Sequence, residues 1–466
     1  MLLRFFRIND PYRLLAVFIL MVLIALGFFT DPAGTTLDEL KAMVLGEALN
    51  SGKSLYTQVH TTEAPLAAWL YGWEEWLFGR SLTARHVLAF LLIFFQGAYF
   101  AILLISNKAQ GESTYLPAFL FGVICFFSFD MLVLSPELIA STILLLALNN
   151  LFKEVEFRAQ RDDTLLTLGL YLGMATLLVF TYAVFLPGTI IILAVFTRLS
   201  VRKTLLLIFG FCLPHLLLAT AYYFNDNFEF LWSSYYTQVT WFAENRLSLN
   251  AMFYLSVIPI GYFLLSLVML NREARLTKYQ SQLLQIMFLW LLIAAAEIAL
   301  AGNMAPHRVI TFAPSFAYFI SHFLLLIRRK WLGELLLWVF AGGIVLIAYL
   351  ARYNKTDRID YSKLFYSKVN SAPVNKRILV LDEQWGYFEN NKPATGFYDW
   401  RISGCYFSGT DYFQYVVLLD KAFKADMPEV IFDPHQVLPA VFKRIPSLEK
   451  NYSKQGAAYY LKTIRN

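Results

Sequence analysis

The chain has 466 residues, 58% of them hydrophobic, 17% aromatic and only 15% charged. Soluble domains carry about 25% charged residues, so an ordinary soluble globule and a disordered chain are both excluded, and a polytopic membrane protein is implied. The net charge of +6 reflects membrane orientation rather than nucleic-acid binding, because Lys and Arg cluster on one side of the predicted spans.

A run must hold about 20 apolar residues to cross the hydrocarbon layer. Eleven such runs are read, at 14–29, 84–105, 116–135, 138–152, 164–179, 181–197, 204–223, 251–270, 283–301, 309–327 and 332–350. The stretch 164–197 is too long for one helix and divides near Thr181 and Pro187. No small-x-small cleavage site follows the first run, which is read as an uncleaved anchor. With the N-terminus in the cytoplasm, the inner segments of the spanning region hold 16 Lys and Arg and the outer ones 6. That asymmetry is the positive-inside pattern of a plasma (inner) membrane protein. An odd number of spans then places residues 351–466 outside, in the periplasm or its equivalent. The expected organisation is a membrane domain over 1–350, with a first outer loop at 30–83, and an extracytoplasmic domain over 351–466.

Within the first outer loop, Leu37, Leu40, Val44 and Ala48 recur at helical spacing, and Asn50-Ser51-Gly52 gives a stop. Thr36-Leu37-Asp38-Glu39 fits a T-x-x-E capping box at the head of that helix. A second helix is predicted from Leu66, Trp69, Leu70, Trp73, Trp76 and Leu77, opening at Pro65 and closing at Gly79. Amphipathic helices rich in Trp lie in the membrane interface with the apolar face on the lipids, so membrane lipids are expected partners.

Further along, Asp130 and Glu297 are placed a few residues inside the outer ends of their spans, where an ionisable group is costly. Glu137 follows Ser135-Pro136 in a short outer turn, and His307-Arg308 precede the tenth span. In the predicted topology these residues face the same outer leaflet as Asp38, Glu39, His60 and Glu63, where they are expected to ring one cavity. Each also has a plain reading: a helix cap for the Asp38-Glu39 pair, an interface anchor for Arg308, a hydrogen-bonded ring for His60 and His307. His215, mid-span beside Pro214, reads as a helix-packing residue. The aromatics of 222–242, from Tyr222 to Trp241 and Phe242, suit an interfacial belt or stacking on a sugar.

The tail reads as a small α/β domain, with strands at 378–381, 430–432 and 457–464 and helices at 412–424 and 435–445. It has no Gly-rich phosphate loop. Cys125, Cys212 and Cys405 are placed for neither a disulfide nor a zinc site.

Several first-loop elements arrive in a recognisable order. An acidic pair opens an interfacial helix; Gly52-Lys53-Ser54-Leu55-Tyr56 and Glu63-Ala64-Pro65-Leu66 with Trp69 follow, then Phe78-Gly79-Arg80-Ser81 and Arg85. The segment resembles the first outer loop of GT-C glycosyltransferases, in the branch of protein O-mannosyltransferases and lipid A aminoarabinose transferases. The likeness covers Asp38 to Arg85 closely and the remainder by topology: many spans, an acid after the third, an arginine before a Pro-containing span, an outer α/β domain. Thr62-Glu63-Ala64-Pro65 departs from the two prolines or His-Pro-Pro common in relatives, and Val309 stands where a Tyr commonly follows the arginine.

The resemblance implies a polyprenyl-phosphate-linked sugar donor and an acceptor hydroxyl on a lipid, a glycan or a protein. Such transfer needs a base for the acceptor and charge stabilisation for the leaving phosphate. Asp38, with Glu39 beside it, is the expected base, with inversion at the anomeric carbon. Arg308 is expected to hold the phosphate, aided by His307 or Arg85, while Glu63 and Glu137 bind sugar hydroxyls or a divalent cation. His60, Asp130 and Glu297 complete the candidate site. Three other readings stay open: a lipid-linked glycan polymerase or ligase, a transporter or flippase, and a catalytically silent scaffold. Nucleic acid is not an expected partner.

Overall fold

A computed structural model describes residues 2–156, 162–197, 199–238, 245–273, 275–302, 304–369 and 373–462. The chain folds into two units. One comprises residues 1–34, 82–218 and 240–363, the other residues 35–81, 219–239 and 364–466. Residues 35–81, most of the segment read as the first outer loop, thus group with residues 364–466.

Among the described residues seven helices are long and apolar enough to cross a membrane: Arg13–Thr30, Leu82–Ser106, Pro136–Val155, Val201–Phe224, Lys278–Ala301, Pro306–Leu326 and Lys330–Arg352. A pair bent by 65°, Leu249–Leu255 and Val257–Glu273, raises the number to eight. The chain is thus a multi-pass α-helical membrane protein. The other runs read as spans are also helical but shorter. Leu116–Cys125 has 10 residues, Asp162–Leu178 has 17, and Phe185–Phe196 has 12.

The helices shorten because the backbone breaks where polar residues and prolines interrupt the apolar runs. After Cys125 the chain leaves the helix, turns through a 3-10 segment at Phe129–Leu132, and restarts at Pro136 with Ser135 as its cap. Pro at the first helical position needs no amide hydrogen, and the Ser135 hydroxyl accepts from Leu138 N–H at 3.2 Å. A second 3-10 turn, Phe180–Val184, separates Leu178 from Phe185, at the division expected near Thr181. A third, Pro306–Phe312, opens the helix Ala313–Leu326.

Close packing elsewhere in this unit depends on glycine. A Cβ at Gly169 would sit 2.1 Å from Leu207 O, and one at Gly173 would sit 2.3 Å from Phe211 O. The small-xxx-small spacing lets the backbones of Asp162–Leu178 and Val201–Phe224 touch. His215 joins the same pair of helices, its Nε2 lying 2.7 Å from Thr176 Oγ1, in the packing role the sequence suggests.

The second unit contains a five-stranded sheet in the order β2-β1-β3-β5-β4. Its strands are β1 (Arg377–Val380), β2 (Lys392–Pro393), β3 (Val430–Phe432), β4 (Tyr452–Gln455) and β5 (Ala458–Leu461). β1 pairs in parallel with β2 and β3, while β5 pairs antiparallel with β3 and β4. Three strands fall where expected; residues 463–464 of the third prediction lie outside the described residues. Leu379, Ile431, Phe397, Phe407, Leu419, Phe423 and Phe442 form the core against helices Trp400–Ser408, Phe413–Ala425 and Leu438–Arg444.

Candidate active site

Five ionisable groups of the first unit, Asp130, Glu137, Glu297, His307 and Arg308, lie where its helices break or begin. The turn Phe129–Leu132 packs on Pro306–Phe312, which packs on Pro136–Val155 and Lys278–Ala301; the latter also touches Phe180–Val184. Non-helical backbone at membrane depth is tolerated where protein buries it or where it lines a polar cavity.

Asp130 is 1% exposed. Its Oδ2 accepts from both the backbone N–H and the ring Nδ1 of His307, each at 3.2 Å, which favours the Nδ1–H form of the imidazole. The other ring nitrogen of His307 lies 3.9 Å from Glu137 Oε2, and Arg308 Nε lies 3.2 Å from Glu137 Oε1. Glu137 stands in the first turn of its helix, where the dipole favours a carboxylate. Glu297 is 1% exposed near the end of Lys278–Ala301, and its Oε1 accepts from Thr181 Oγ1 at 2.5 Å. It also interacts electrostatically with Arg308 and Glu137. Asp130 Oδ1, Glu297 Oε2 and the Tyr182 hydroxyl make no hydrogen bond among the described residues.

Asp130, Glu137, Glu297, His307 and Arg308 thus come together as the sequence suggests. Three residues of this cluster carried no usable signal. Thr181 and Tyr182 were legible only as the site of a helix break. Tyr361, whose hydroxyl is 3.4 Å from Ser128 Oγ, is one tyrosine among 27; burial raises its phenol pKa and the charge of Asp130 adds to this, against the Ser128 hydrogen bond. Arg85 is buried near the start of Leu82–Ser106, in the same unit.

Asp38, Glu39, His60 and Glu63 belong to the second unit. The capping box forms as read. Thr36 N–H and Thr36 Oγ1 both lie 2.8 Å from Glu39 Oε2, and Glu39 N–H donates to Thr36 Oγ1 at 3.3 Å. Glu39 is therefore buried in the cap, whereas Asp38 is half-buried on a different side of the helix. His60 packs its ring on Phe397 with centroids 4.7 Å apart and 12° between planes, and its N–H donates to Gly396 O at 3.1 Å. Burial lowers its pKa to about 4, so the imidazole is neutral and serves packing. Glu63 is exposed, and its carbonyl accepts from the Tyr56 hydroxyl at 2.6 Å. Tyr222 lies 6.1 Å from Tyr56; Trp241 and Phe242 fall outside the described residues.

Charged contacts tie the first-loop segment to the sheet. Arg80 bridges Glu47 to the carbonyls of Phe388, Glu389 and Asn391. Lys53 Nζ is 2.5 Å from Asp426 Oδ2, and Arg377 pairs with the other oxygen. Burial alone would raise the pKa of Asp426, but the Lys53 contact and charge outweigh it and lower the value. Among the described residues no three His, Cys, Asp or Glu side chains are grouped to hold a metal ion.

No family model matches the chain, and no curated protein sequence matches it. Among solved structures it is similar to ArnT from Cupriavidus metallidurans bound to undecaprenyl phosphate, with 15% identity and a TM-score of 0.46 over 71% of this chain and 64% of that one. It is also similar to the apo oligosaccharyltransferase of Archaeoglobus fulgidus, with 12% identity and a TM-score of 0.49 over 97% and 75%. AglB from the same organism, in complex with an inhibitory peptide and a dolichol-phosphate, gives 11% identity and a TM-score of 0.48 over 98% and 75%. The chain spans just under two thirds of the length of that ArnT.

Proposed function

We propose that the chain is an integral membrane glycosyltransferase that moves a sugar from a polyprenyl-phosphate donor to a hydroxyl of a lipid, glycan or protein. In this reading Asp38 takes the acceptor proton as the acceptor oxygen bonds to the anomeric carbon, and the configuration inverts. The carbon–oxygen bond to the carrier breaks, and its electron pair leaves with the lipid phosphate. A phosphate departs without protonation, so one carboxylate base suffices, unlike hydrolysis of a sugar–sugar bond. Arg308 holds the leaving phosphate, since a guanidinium presents a fork of donors suited to its oxygens. His307 and Arg85 add positive or donor character, and Glu63, Glu137, Asp130 and Glu297 bind sugar hydroxyls or hold the bases in place. Eleven spans, a cytoplasmic N-terminus and an extracytoplasmic C-terminal domain belong to the same proposal.

The observation that carries it is the division of labour at the head of helix Leu37–Asn50. Glu39 is bound in the capping box, whereas Asp38 is half-buried beside it. A carboxylate at a helix N-terminus is held in place by the first turn. The test compares envelope lipids, glycans and glycoproteins by mass analysis in cells lacking the gene, cells carrying it, and cells carrying Asp38→Asn. One sugar mass should disappear without the gene, return with it, and stay absent with the variant inserted in the membrane at normal level. Full transfer by Asp38→Asn would remove the residue from the role.

A transporter is the second reading, favoured by the buried carboxylate Glu297 against a broken helix, a feature of transport proteins. An unchanged sugar inventory with an altered distribution across the bilayer would select it.

A further inference from the structure

We infer that a small cavity one turn along from the Glu137–Arg308 pair binds one water molecule, and that this water anchors the turn carrying His307 and Arg308. The cavity measures about 10 Å³ and is lined by Gln96, Ser141 and Thr311 among apolar and aromatic side chains. Gln96 is 1%, Ser141 5% and Thr311 2% exposed, so bulk water does not reach them.

Hydrogen-bond accounting leaves these three side chains short. Gln96 Nε2 donates to Leu138 O and to Thr142 Oγ1, each at 2.7 Å. A carbonyl only accepts, so the amide nitrogen of Gln96 must face Leu138 and the amide oxygen points the other way. Ser141 Oγ lies 3.2 Å from Gln96 Oε1, but its single proton has a closer acceptor in Leu138 O at 2.7 Å. The proton goes to the shorter contact, and Gln96 Oε1 keeps an acceptor site for another donor. Thr311 Oγ1 makes no hydrogen bond among the described residues. One donor and two acceptors thus meet at the cavity. Thr311 O–H donates to the water oxygen, and the two water protons go to Gln96 Oε1 and Ser141 Oγ. Three hydrogen bonds are typical of a buried water, and the volume is the least that holds one. The volume excludes a larger molecule, and no ionisable side chain lines the cavity to balance an ion.

The role of this water follows from the register of the elements it joins. Residues three apart in a 3-10 segment eclipse one another, which puts Thr311 in line with Arg308 on Pro306–Phe312. Residues four apart share a face of an α-helix, which puts Ser141 one turn after Glu137 on Pro136–Val155. Arg308 Nε meets Glu137 Oε1 at 3.2 Å; one turn on, Thr311 and Ser141 line the same cavity. The ion pair and the water are successive rungs between turn and helix, and Gln96 extends the second rung to helix Leu82–Ser106. Thr311 is thus a positioning residue for Arg308. The assignment does not depend on glycosyl transfer.

A crystal structure of the full-length protein, at a resolution that shows ordered water, should place one peak within hydrogen-bond distance of Gln96 Oε1 and Thr311 Oγ1. Well-ordered side chains with no peak between them, or a Thr311 hydroxyl turned onto a protein acceptor, would overturn the assignment. Hydrogen exchange of the protein in nanodiscs tests the anchoring. Thr311→Val keeps the volume and removes the hydroxyl, and should speed exchange in peptides covering 306–312 by about 3- to 10-fold, the effect of losing one hydrogen bond. Thr311→Ser keeps the hydroxyl and should retain the native rate. A native rate in Thr311→Val would mean that packing holds the turn, and would reject the anchoring role.

Discussion

Replacing Arg80 by Met should loosen the attachment of helix Leu37–Asn50 to the sheet edge. Arg80 donates through Nε and Nη2 to the two Glu47 oxygens at 2.7 and 2.8 Å, and to the carbonyls of Phe388, Glu389 and Asn391 at 2.8, 2.6 and 2.7 Å. The Glu47 side chain is 8% exposed and that of Arg80 28%. Deleting one partner of a buried pair costs about 3–5 kcal/mol, because the other charge stays behind without compensation. Water reaching through the exposed part of Arg80 reduces this to about 2–3 kcal/mol. Protection of backbone amides against hydrogen exchange should fall by about 30- to 150-fold if the segments open locally. The peptides to follow are 37–50 and 385–393, by mass spectrometry of the full-length protein in detergent. Adding Glu47→Gln to Arg80→Met should recover about half of the loss, since it removes the stranded charge but not the orphaned carbonyls. Unchanged exchange in Arg80→Met, or a double variant as loose as the single one, would refute this account of the contact.

Three more outcomes follow from the same geometry. Thr36→Val removes the hydroxyl from the capping box and should cost about 1 kcal/mol of stability in thermal unfolding, with exchange increasing first in the opening turn of Leu37–Asn50. Arg308→Lys keeps the charge but loses the fork, and should lower kcat/KM for transfer by about 100-fold with normal membrane insertion; retention of full activity would reject the phosphate role. His60 has a folded pKa of about 4, below its unfolded value. The unfolded chain therefore binds more protons between these values, and the stability of the second unit falls as pH drops from about 6.5 to about 4, by about 3 kcal/mol at the low end. His60→Gln should flatten that slope in acid-unfolding curves.

Local features were legible in the sequence and distant ones were not. The capping box at Thr36 and Glu39, the stop after Asn50 and the Pro65 start are written in neighbouring residues, and the structure forms each of them. Strands β1 and β3 were visible as short runs of Ile, Leu and Val, which a fully buried strand requires. β4 was missed because Tyr452-Ser453-Lys454-Gln455 is mostly polar and exposed, an edge strand held by its hairpin with β5. The grouping of residues 35–81 with the tail depends on Lys53–Asp426 and on Arg80 with the carbonyls of 388–391. Such pairs lie more than 300 residues apart and have no local pattern. Span count was the least secure reading, because an apolar run at 116–135 does not disclose that its helix stops at Cys125.

The broken helices bear on why the first unit keeps its charges. An ionised side chain at the centre of a membrane helix costs about 2.5–3.5 kcal/mol; Asp130 and Glu137, in a turn and a first helical turn, and Glu297, near a helix end, each cost less than this but more than the apolar residues around them. Pairing offsets part of this through His307 and Arg308, yet Asp130 and Glu297 each retain one oxygen without a hydrogen bond among the described residues. A chain selected only to fold would place apolar residues there, since buried ion pairs replaced by well-packed hydrophobic groups are often as stable or more so. The 3-10 turns at Phe129–Leu132, Phe180–Val184 and Pro306–Phe312 carry the same penalty in backbone form, and they coincide with the charges rather than with the lipid-facing helices. Under the proposed glycosyl transfer both costs fall where the reaction takes place, so substituting Glu137 or Arg308 should lower activity by more than it lowers the amount of membrane-inserted protein.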